Sequence, residues 1–270
     1  MFFFMKIGCL SVPLAIIFVL LWVKILFSML ESTSGIVLHK LRYGDDGVIV
    51  DVYTRLRGTL SFVMRIPRGR RRGIPLLMMQ PLNIVDLAYD YRVGHQLLRI
   101  RDVHQGMPYG SIPYDHVKGS LVLFLSDFLY HALRSEAQNE SLFDFVCSCL
   151  WRLDGCDGGL ANFHIVMLVR MTKYLGICPN VGRKVKVGHA FDMQESELVE
   201  VGKGSAHCLT EEETSFLSKL LRVSMDSMHL LKLTREQRWR VLEMVEMYYR
   251  LHVPEFPRLK SLDVMKELFS

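Results

Sequence analysis

The fold of this chain is decided by residues 35–72, which read GIVLHKLRYGDDGVIVDVYTRLRGTLSFVMRIPRGRRR. Within this stretch, Leu60, Phe62, Met64 and Ile66 occur at every second position. Side chains two residues apart lie on the same face of an extended strand. The pattern therefore predicts a strand with one buried face and one solvated face.

Four other segments have the same strand character, and turn residues such as those of Tyr43–Gly47 separate them. In the second segment Val48, Val50 and Val52 form one face of the alternation. The five predicted strands are 35–41, 48–53, 59–66, 82–89 and 97–103. So many short strands within about 75 residues are typical of a small β-barrel.

The third strand leads directly into an arginine cluster at Arg65–Arg72. Lys and Arg exceed Asp and Glu by 2 in residues 1–28 and by 5 in residues 29–105, whereas acidic residues exceed basic ones by 2 in residues 106–270. The basic excess of the body thus lies in the β-rich part, as expected where phosphates must be neutralised and their counterions released. A merely solvated basic loop is the alternative that the cluster alone leaves open.

The N-terminus carries an apolar run, Ile7–Phe27, interrupted by Ser11, Pro13 and Lys24. Its 21 residues are enough to span a bilayer. The run also resembles an export signal, although no convincing cleavage site follows it. The favoured interpretation is an upstream start assignment, because Met29 is a natural-looking start just before the first strand. A membrane anchor and an exported protein are the alternatives.

After about residue 106 the sequence changes to helical periodicity. Long apolar segments at 117–133 and 163–175 predict largely buried helices. Thr210 and Thr234 each stand three residues before Glu or Gln, the pattern of a capping box, so both predict a helix start. The second of these helices is predicted over 235–252, before Pro254, and a last short helix over 261–268. A Gly- and Val-rich segment, 179–208, lies between the helix predicted at 163–175 and the helix that starts at Thr210. Its composition predicts an irregular or hairpin-like insertion.

The cysteines do not form a pattern typical of disulfides or zinc. Five lie outside the N-terminal apolar run. Cys147 and Cys149 fall in an apolar helical segment, which predicts buried free thiols. A zinc set could be drawn from Cys178, His189, His207 and Cys208, but no C-x-x-C pair is present, so we expect no metal. The chain also lacks the common catalytic motifs, and we expect no enzymatic activity and no cofactor.

Ten short segments together resemble the RecO family of DNA repair proteins, in the form found in the Bacteroidetes. The resemblance covers residues 29–269 and rests on the order and spacing of the segments. They are Gly35-Ile-Val-Leu-His, Tyr43-Gly-Asp, Gln80-Pro-Leu82, Leu98-Arg-Ile-Arg-Asp102, Ser111-Ile-Pro-Tyr-Asp115, Leu123-Phe-Leu-Ser-Asp-Phe-Leu-Tyr130, Asn162-Phe-His164, Tyr174-Leu-Gly-Ile-Cys-Pro-Asn180, Tyr248-Tyr-Arg-Leu-His252 and Leu259-Lys-Ser-Leu262.

The resemblance implies an α+β protein in which a five-stranded OB-fold barrel precedes an α-helical bundle. The corresponding divisions are an apolar extension at 1–28, a DNA-binding domain at 29–106 and a helical domain at 107–270. It implies a non-enzymatic recombination mediator that binds single- and double-stranded DNA, the acidic tail of single-stranded DNA-binding protein, and RecR. Such a mediator assists RecA loading and strand annealing. The implied location is cytoplasmic and nucleoid-associated, with inner-membrane anchoring through residues 7–27 as the alternative.

Two sets of site residues follow from these expectations. DNA is expected to contact the arginines of the β domain, with one tyrosine as a base-stacking residue: Arg42, Arg55, Arg57, Arg65, Arg68, Arg70, Arg71, Arg72 and Tyr53. Core packing is the alternative for Tyr53 and the favoured role of Phe62. An acidic tail needs an apolar pocket rimmed by basic residues. For this we predict Arg134, Arg170 and Lys173, each of which could instead be a solvated helix residue.

Overall fold

The structure is a computed structural model that describes residues 28–45, 47–65, 76–182 and 185–268. Its first part is a closed five-stranded barrel with the strand order β1-β2-β3-β5-β4. The strands are β1 (Ser28–Tyr43), β2 (Gly47–Thr54), β3 (Gly58–Arg65), β4 (Ile84–Arg92) and β5 (Leu97–Met107). All neighbouring pairs are antiparallel except β3 and β5, which pair in parallel. This is the OB-like barrel that the sequence predicts.

The alternating pattern of β3 forms the barrel core as predicted. Phe62 and Met64 are buried, and Leu60 packs against them from a half-buried position. The Phe62 ring meets Tyr89 of β4 edge to face, with centroids 5.1 Å apart. Ile66, the last apolar residue of the predicted run, lies outside the described residues.

All five strands have bounds that differ from those predicted, and the fifth extends to Met107 rather than Val103. The first extends from Ser28 rather than Gly35, because its N-terminal half pairs with β4 and its C-terminal half with β2. The fourth begins at Ile84 rather than Leu82, because Leu82 occupies a turn with φ of 59°. The two partners of the first strand are distant from it in sequence, so local alternation does not specify how far that strand extends.

In the described residues six α-helices follow the barrel, and they make up most of the second part of the structure. They are α1 (His116–Leu133), α2 (Glu140–Gly155), α3 (Phe163–Tyr174), α4 (Glu211–Leu220), α5 (Arg235–His252) and α6 (Lys260–Leu268). Both predicted capping boxes are present, since Thr210 and Thr234 each accept a hydrogen bond from the N3 amide while the N3 side chain bonds back. The predicted free thiols also occur: Cys149 is buried and Cys147 half-buried, and burial raises the pKa of each thiol to about 12.

The barrel packs directly on the helices. Ile36 and Leu38 of β1 belong to the same buried cluster as the helical core. The Ser126 hydroxyl of α1 donates to the Leu38 carbonyl at 2.6 Å. At Gly58, φ is +73° and an added Cβ would lie 2.3 Å from the carbonyl oxygen of Glu136. Only glycine fits there, because the backbones of the two parts meet without room for a side chain.

The predicted insertion contains a short hairpin, β6 (His189–Asp192) and β7 (Glu197–Glu200). The buried Asp192 carboxylate organises the turns around it. It accepts hydrogen bonds from the Ser205 amide at 2.6 Å, the Ser205 hydroxyl at 2.8 Å and the Gln194 amide at 2.9 Å. Burial raises the pKa of Asp192, but these hydrogen bonds outweigh burial and lower it to about 2.

We expect Asp192→Asn to lower the free energy of unfolding by about 1–3 kcal/mol at pH 7, because buried donors lose a charged acceptor. A lowered folded-state pKa contributes stability above the unfolded value of about 3.9, and this contribution is lost as pH falls through the folded value near 2. The difference between the variant and the parent should therefore shrink between about pH 4 and pH 2. Urea unfolding at several pH values measures it.

The exposed Glu197 of the same hairpin provides the control, since Glu197→Gln should change the unfolding free energy by less than about 0.5 kcal/mol. A difference between Asp192→Asn and the parent that stays constant from pH 7 to pH 2 would contradict the assigned role.

The predicted extension at residues 1–28, including the apolar run 7–27, lies outside the described residues except for the backbone of Ser28. Within the described part of the chain, none of the helices combines the length and the apolar character needed to cross a membrane.

Candidate nucleic-acid interface

One wall of the barrel carries a row of exposed arginines. The parallel pairing of β3 with β5 places Val63 beside Arg99, and alternation then directs Arg65, Arg99 and Arg101 outward. The intervening Leu98 and Ile100 are buried in the barrel. Strands that are distant in sequence thus bring three guanidinium groups to one outer surface.

Two clefts open along this wall and share Val63, Arg99 and Arg101 as lining residues. The larger has a volume of about 850 Å³ and also contacts Tyr43 and Arg65. The smaller, of about 240 Å³, is also lined by residues at the ends of β4 and β5, namely Asp90, Arg92, His95, Leu97 and Leu98. We call this surface, defined by Tyr43, Arg65, Arg92, His95, Arg99 and Arg101, the arginine cleft.

Two carboxylates line the arginine cleft, Asp45 in its larger part and Asp90 in its smaller part. Asp90 forms an ion pair with Arg101, whose Nη2 is 2.6 Å and Nε 2.8 Å from Asp90 Oδ2. The hydrogen bond from Arg101 is the main cause that lowers the pKa of Asp90. Among the described residues, Arg65, Arg92 and Arg99 have no carboxylate within ion-pair distance. The cleft therefore keeps a net positive charge that an anionic ligand can neutralise.

The predicted arginines fall into two groups at opposite ends of the barrel. Arg65 lies in the cleft, and Arg42 is exposed near the same end. Arg55 and Arg57 occupy the β2–β3 turn at the other end. Arg55 contacts Asp144 of α2 at 3.1 Å, and the Arg57 guanidinium contacts both Glu31 at 2.5 Å and the face of the Tyr91 ring at 3.7 Å. Arg55 and Arg57 thus already form contacts within the chain.

The stacking role predicted for Tyr53 does not fit its position. Its ring is fully buried between the barrel and α2, packed against Phe143, and its hydroxyl donates to the Asn139 carbonyl at 3.3 Å. A ring without an exposed face cannot stack on a base. Tyr43, which is 56% exposed and lines the arginine cleft, is the better placed aromatic residue.

The remaining predicted DNA contacts, Arg68, Arg70, Arg71 and Arg72, lie outside the described residues. Arg65, at the end of β3, is the last described residue before them, so the chain leaves the barrel at the arginine cleft. Sequence reasoning did not select Arg92, Arg99 or Arg101 as DNA contacts. The alternation of arginine with Leu98 and Ile100 was the signal that could have identified Arg99 and Arg101.

The three residues predicted to bind an acidic tail are not joined by any hydrogen bond or ion pair in the described structure. Arg134 follows α1 and lies 3.8 Å from Glu255. Arg170 donates to the Leu221 carbonyl at 3.5 Å, and Lys173 is exposed on the same helix, α3. Their role stays a prediction.

The described structure does not bring the four residues considered for zinc together as a set of metal ligands. Cys208 approaches the Asp192 carboxylate region rather than a second cysteine, and Cys178 is an exposed free thiol. In the parts of the chain that the structure covers, no group of three or more His, Cys, Asp or Glu side chains is placed to hold a metal ion.

Comparison with known proteins identifies the same family in both halves of the chain. The family model described as Recombination protein O N terminal matches residues 29–106, and that described as Recombination protein O C terminal matches residues 113–263. Similar curated proteins include three that are named DNA repair protein RecO. That of Phocaeicola vulgatus is 43% identical over 90% of this chain, that of Bacteroides fragilis 41% over 89%, and that of Porphyromonas gingivalis 31% over 89%, each covering 100% of the relative.

Proposed function

The chain belongs to the RecO family, whose identity supports a role in DNA repair and recombination, and from this premise we propose that it is a non-enzymatic recombination mediator. In this proposal the barrel binds single- and double-stranded DNA through the arginine cleft and the adjoining arginine cluster. The protein acts in the cytoplasm, in association with the nucleoid.

The observation that carries the proposal is the uncompensated charge of the arginine cleft. Arg65, Arg92 and Arg99 lie on one wall beside an exposed tyrosine, without carboxylate partners in the described residues. OB-folds bind oligonucleotides on the face of strands 2 and 3 and with the neighbouring loops. In this chain, β3 and the β1–β2 turn border the cleft, so its position matches that mode of binding.

The protein partners that we propose come from the family resemblance. We propose that the chain engages the acidic tail of single-stranded DNA-binding protein and RecR, and that with them it assists RecA loading and strand annealing. The two-part architecture supports this proposal, because the basic barrel can bind nucleic acid while the helical part offers separate surfaces for proteins.

A salt-series titration tests DNA binding by the full chain. We expect a fluorescent oligothymidine to bind with an affinity that falls linearly with salt on a double-logarithmic plot, since phosphate contacts release counterions. Each phosphate contact on a single strand contributes about 0.7 to the slope. Absent or salt-independent binding would contradict the proposal.

Replacing Arg68, Arg70, Arg71 and Arg72 together with alanine should weaken binding to the same degree for oligonucleotides of different sequence. The physical reason is that phosphate contacts position the nucleic acid without reading bases. Anisotropy titrations with oligothymidine, oligoadenosine and a mixed sequence measure the change. Unchanged affinity would instead assign the cluster to a solvated loop, and the urea midpoint serves as the control for folding.

A further inference from the structure

The smaller part of the arginine cleft differs from the larger part in size. Its volume is about 240 Å³, whereas that of the larger part is about 850 Å³. Pockets that bind small organic ligands usually have volumes of about 300–1,000 Å³. The smaller part is below this range, so it suits a single phosphate group better than a whole nucleotide.

Three arginines surround one carboxylate in this smaller part. Arg92, Arg99, Arg101 and Asp90 line it, so its formal charge is +2 when His95 is neutral. The hydrogen bond from Arg101 is the main cause that lowers the pKa of Asp90, and the charges of Arg92 and Arg99 lower it further. Arg92 and Arg99 thus lie near the carboxylate, but neither has an ion-pair partner among the described residues. Two positive charges remain available to a ligand.

Strand pairing sets the positions of these arginines. Asp90 lies opposite Arg99 in the β4–β5 pair, and Arg99 lies beside Val63 in the β3–β5 pair. The β4–β5 turn borders the smaller part, and in this turn the His95 amide donates to the Arg92 carbonyl at 3.3 Å. Because the barrel is closed, the backbone of the site is in place before a ligand binds, which reduces the entropy lost on binding.

A phosphate at the end of a nucleic-acid strand has the charge that this site can neutralise. A phosphomonoester carries about −1.5 to −2 charges at pH 7 and three acceptor oxygens. A phosphodiester within a strand carries one negative charge. Guanidinium groups bind phosphate oxygens through paired, charge-assisted hydrogen bonds. Two arginines without carboxylate partners therefore fit a terminal phosphate better than a backbone phosphate.

The larger part of the arginine cleft adjoins the smaller part, since both are lined by Val63, Arg99 and Arg101. The larger part also contains Arg65 and the exposed ring of Tyr43. A nucleotide with its phosphate in the smaller part can therefore extend its base into the larger part. Aromatic side chains bind bases of any sequence by stacking, so Tyr43 is suited to the base.

We infer that the smaller part of the arginine cleft binds a phosphomonoester at the end of a nucleic-acid strand. Arg92 and Arg99 contact the phosphate, and Arg101, held by Asp90, adds a third positive charge. This inference rests on the proposed function, in which the barrel binds DNA, and it adds a preference for strands with a terminal phosphate. The 5′ and 3′ ends of a strand carry the same chemical group when phosphorylated, so both sources require a test.

Anisotropy titrations of the full chain with short oligothymidines provide that test. The oligothymidines have a 5′-phosphate, a 3′-phosphate or hydroxyls at both ends, and fluorescein is attached to an internal base. We expect one phosphorylated form to bind at least about fivefold more tightly than the hydroxyl form, because it gains charge-assisted hydrogen bonds. A hydroxyl-ended oligothymidine with one more nucleotide is the control for charge and should bind within about twofold of the shorter one.

Arg92→Ala should reduce the ratio of the two affinities, phosphorylated to hydroxyl-ended, to near one. Among the described residues, Arg92 lines the smaller part but not the larger. Arg65→Ala is the matched comparison, because Arg65 lines only the larger part. It should weaken binding of both oligothymidines and leave their ratio as in the parent. Arg250→Ala, at an exposed position of α5, should change neither affinity.

Equal binding of phosphorylated and hydroxyl-ended oligothymidines by the parent would overturn the inference and leave DNA binding by the barrel intact. The inference would also be overturned if Arg65→Ala lowered the ratio as much as Arg92→Ala, or if the longer control bound as tightly as the phosphorylated forms. In both cases overall charge would account for the preference. If no oligothymidine bound at all, the proposed function itself would be contradicted together with this inference.

Discussion

Replacing Arg65 and Arg99 with glutamate will reduce the affinity for single-stranded DNA by about a hundredfold or more at low salt. Both side chains line the arginine cleft, and neither has a carboxylate partner in the described residues. A hydrogen bond to a charged group contributes about 1.5–3 kcal/mol, so the loss of two such contacts accounts for that factor. The introduced carboxylates add repulsion from the phosphates.

The salt dependence provides a second measurement on the same variant. If two phosphate contacts are lost, the slope of the logarithm of the binding constant against the logarithm of salt should decrease by about 1.4. Fluorescence anisotropy with oligothymidine measures both quantities. Urea unfolding should remain near that of the parent, because both residues are exposed.

The control for net charge is Lys232→Glu/Arg250→Glu, which makes the same change of charge on exposed positions of the helical part. It should reduce DNA affinity much less than the variant in the arginine cleft. Equal losses for the two double variants would show that overall charge governs binding, and the cleft would no longer be the interface.

Replacing Phe128 with alanine will lower the free energy of unfolding by about 3–5 kcal/mol, the usual cost of removing a buried phenylalanine. Phe128 of α1 is 1% exposed and lies at the centre of an aromatic cluster. Its ring centroid is 4.7 Å from that of Tyr249, 5.0 Å from Phe256 and 6.0 Å from Phe124. The substitution removes edge-to-face contacts and leaves a cavity between α1, α5 and the segment before α6.

Leu123 on the same helix is the matched control, since its side chain is 64% exposed. Leu123→Ala should change the unfolding free energy by no more than about 0.5 kcal/mol. Urea unfolding followed by circular dichroism compares the two variants with the parent. A loss below about 1 kcal/mol for Phe128→Ala would mean that the aromatic cluster is not the core of the helical part.

Local patterns in the sequence predicted the elements whose cause is local. The alternation at Phe62 and Met64 gave a buried strand face, because successive side chains of a strand point to opposite sides. The hydroxyls of Thr210 and Thr234 marked helix starts, because each satisfies an amide within its own first turn. Proline at position 254 marked the region where α5 ends.

The same patterns did not predict the sites, because sites depend on contacts between distant segments. Tyr53 has an aromatic ring that could stack on a base, yet α2 covers it. Arg99 and Arg101 read as solvated residues of a strand until the parallel pairing of β3 and β5 places them on the same outer surface as Arg65. In the sequence His164 is an ordinary residue of an apolar helix, and only the packing of segments distant in the chain makes it part of a cavity wall.

By itself the sequence determined the β-barrel followed by helices, the concentration of basic charge in the barrel, and the resemblance to the RecO family. Each of these follows from composition, periodicity or the spacing of short segments along the chain. Only the tertiary structure decided which arginines face solvent together and which aromatic residue is exposed. The physical reason is that burial and electrostatic pairing depend on distances in space, and strand pairing and helix packing set those distances between residues far apart in the chain.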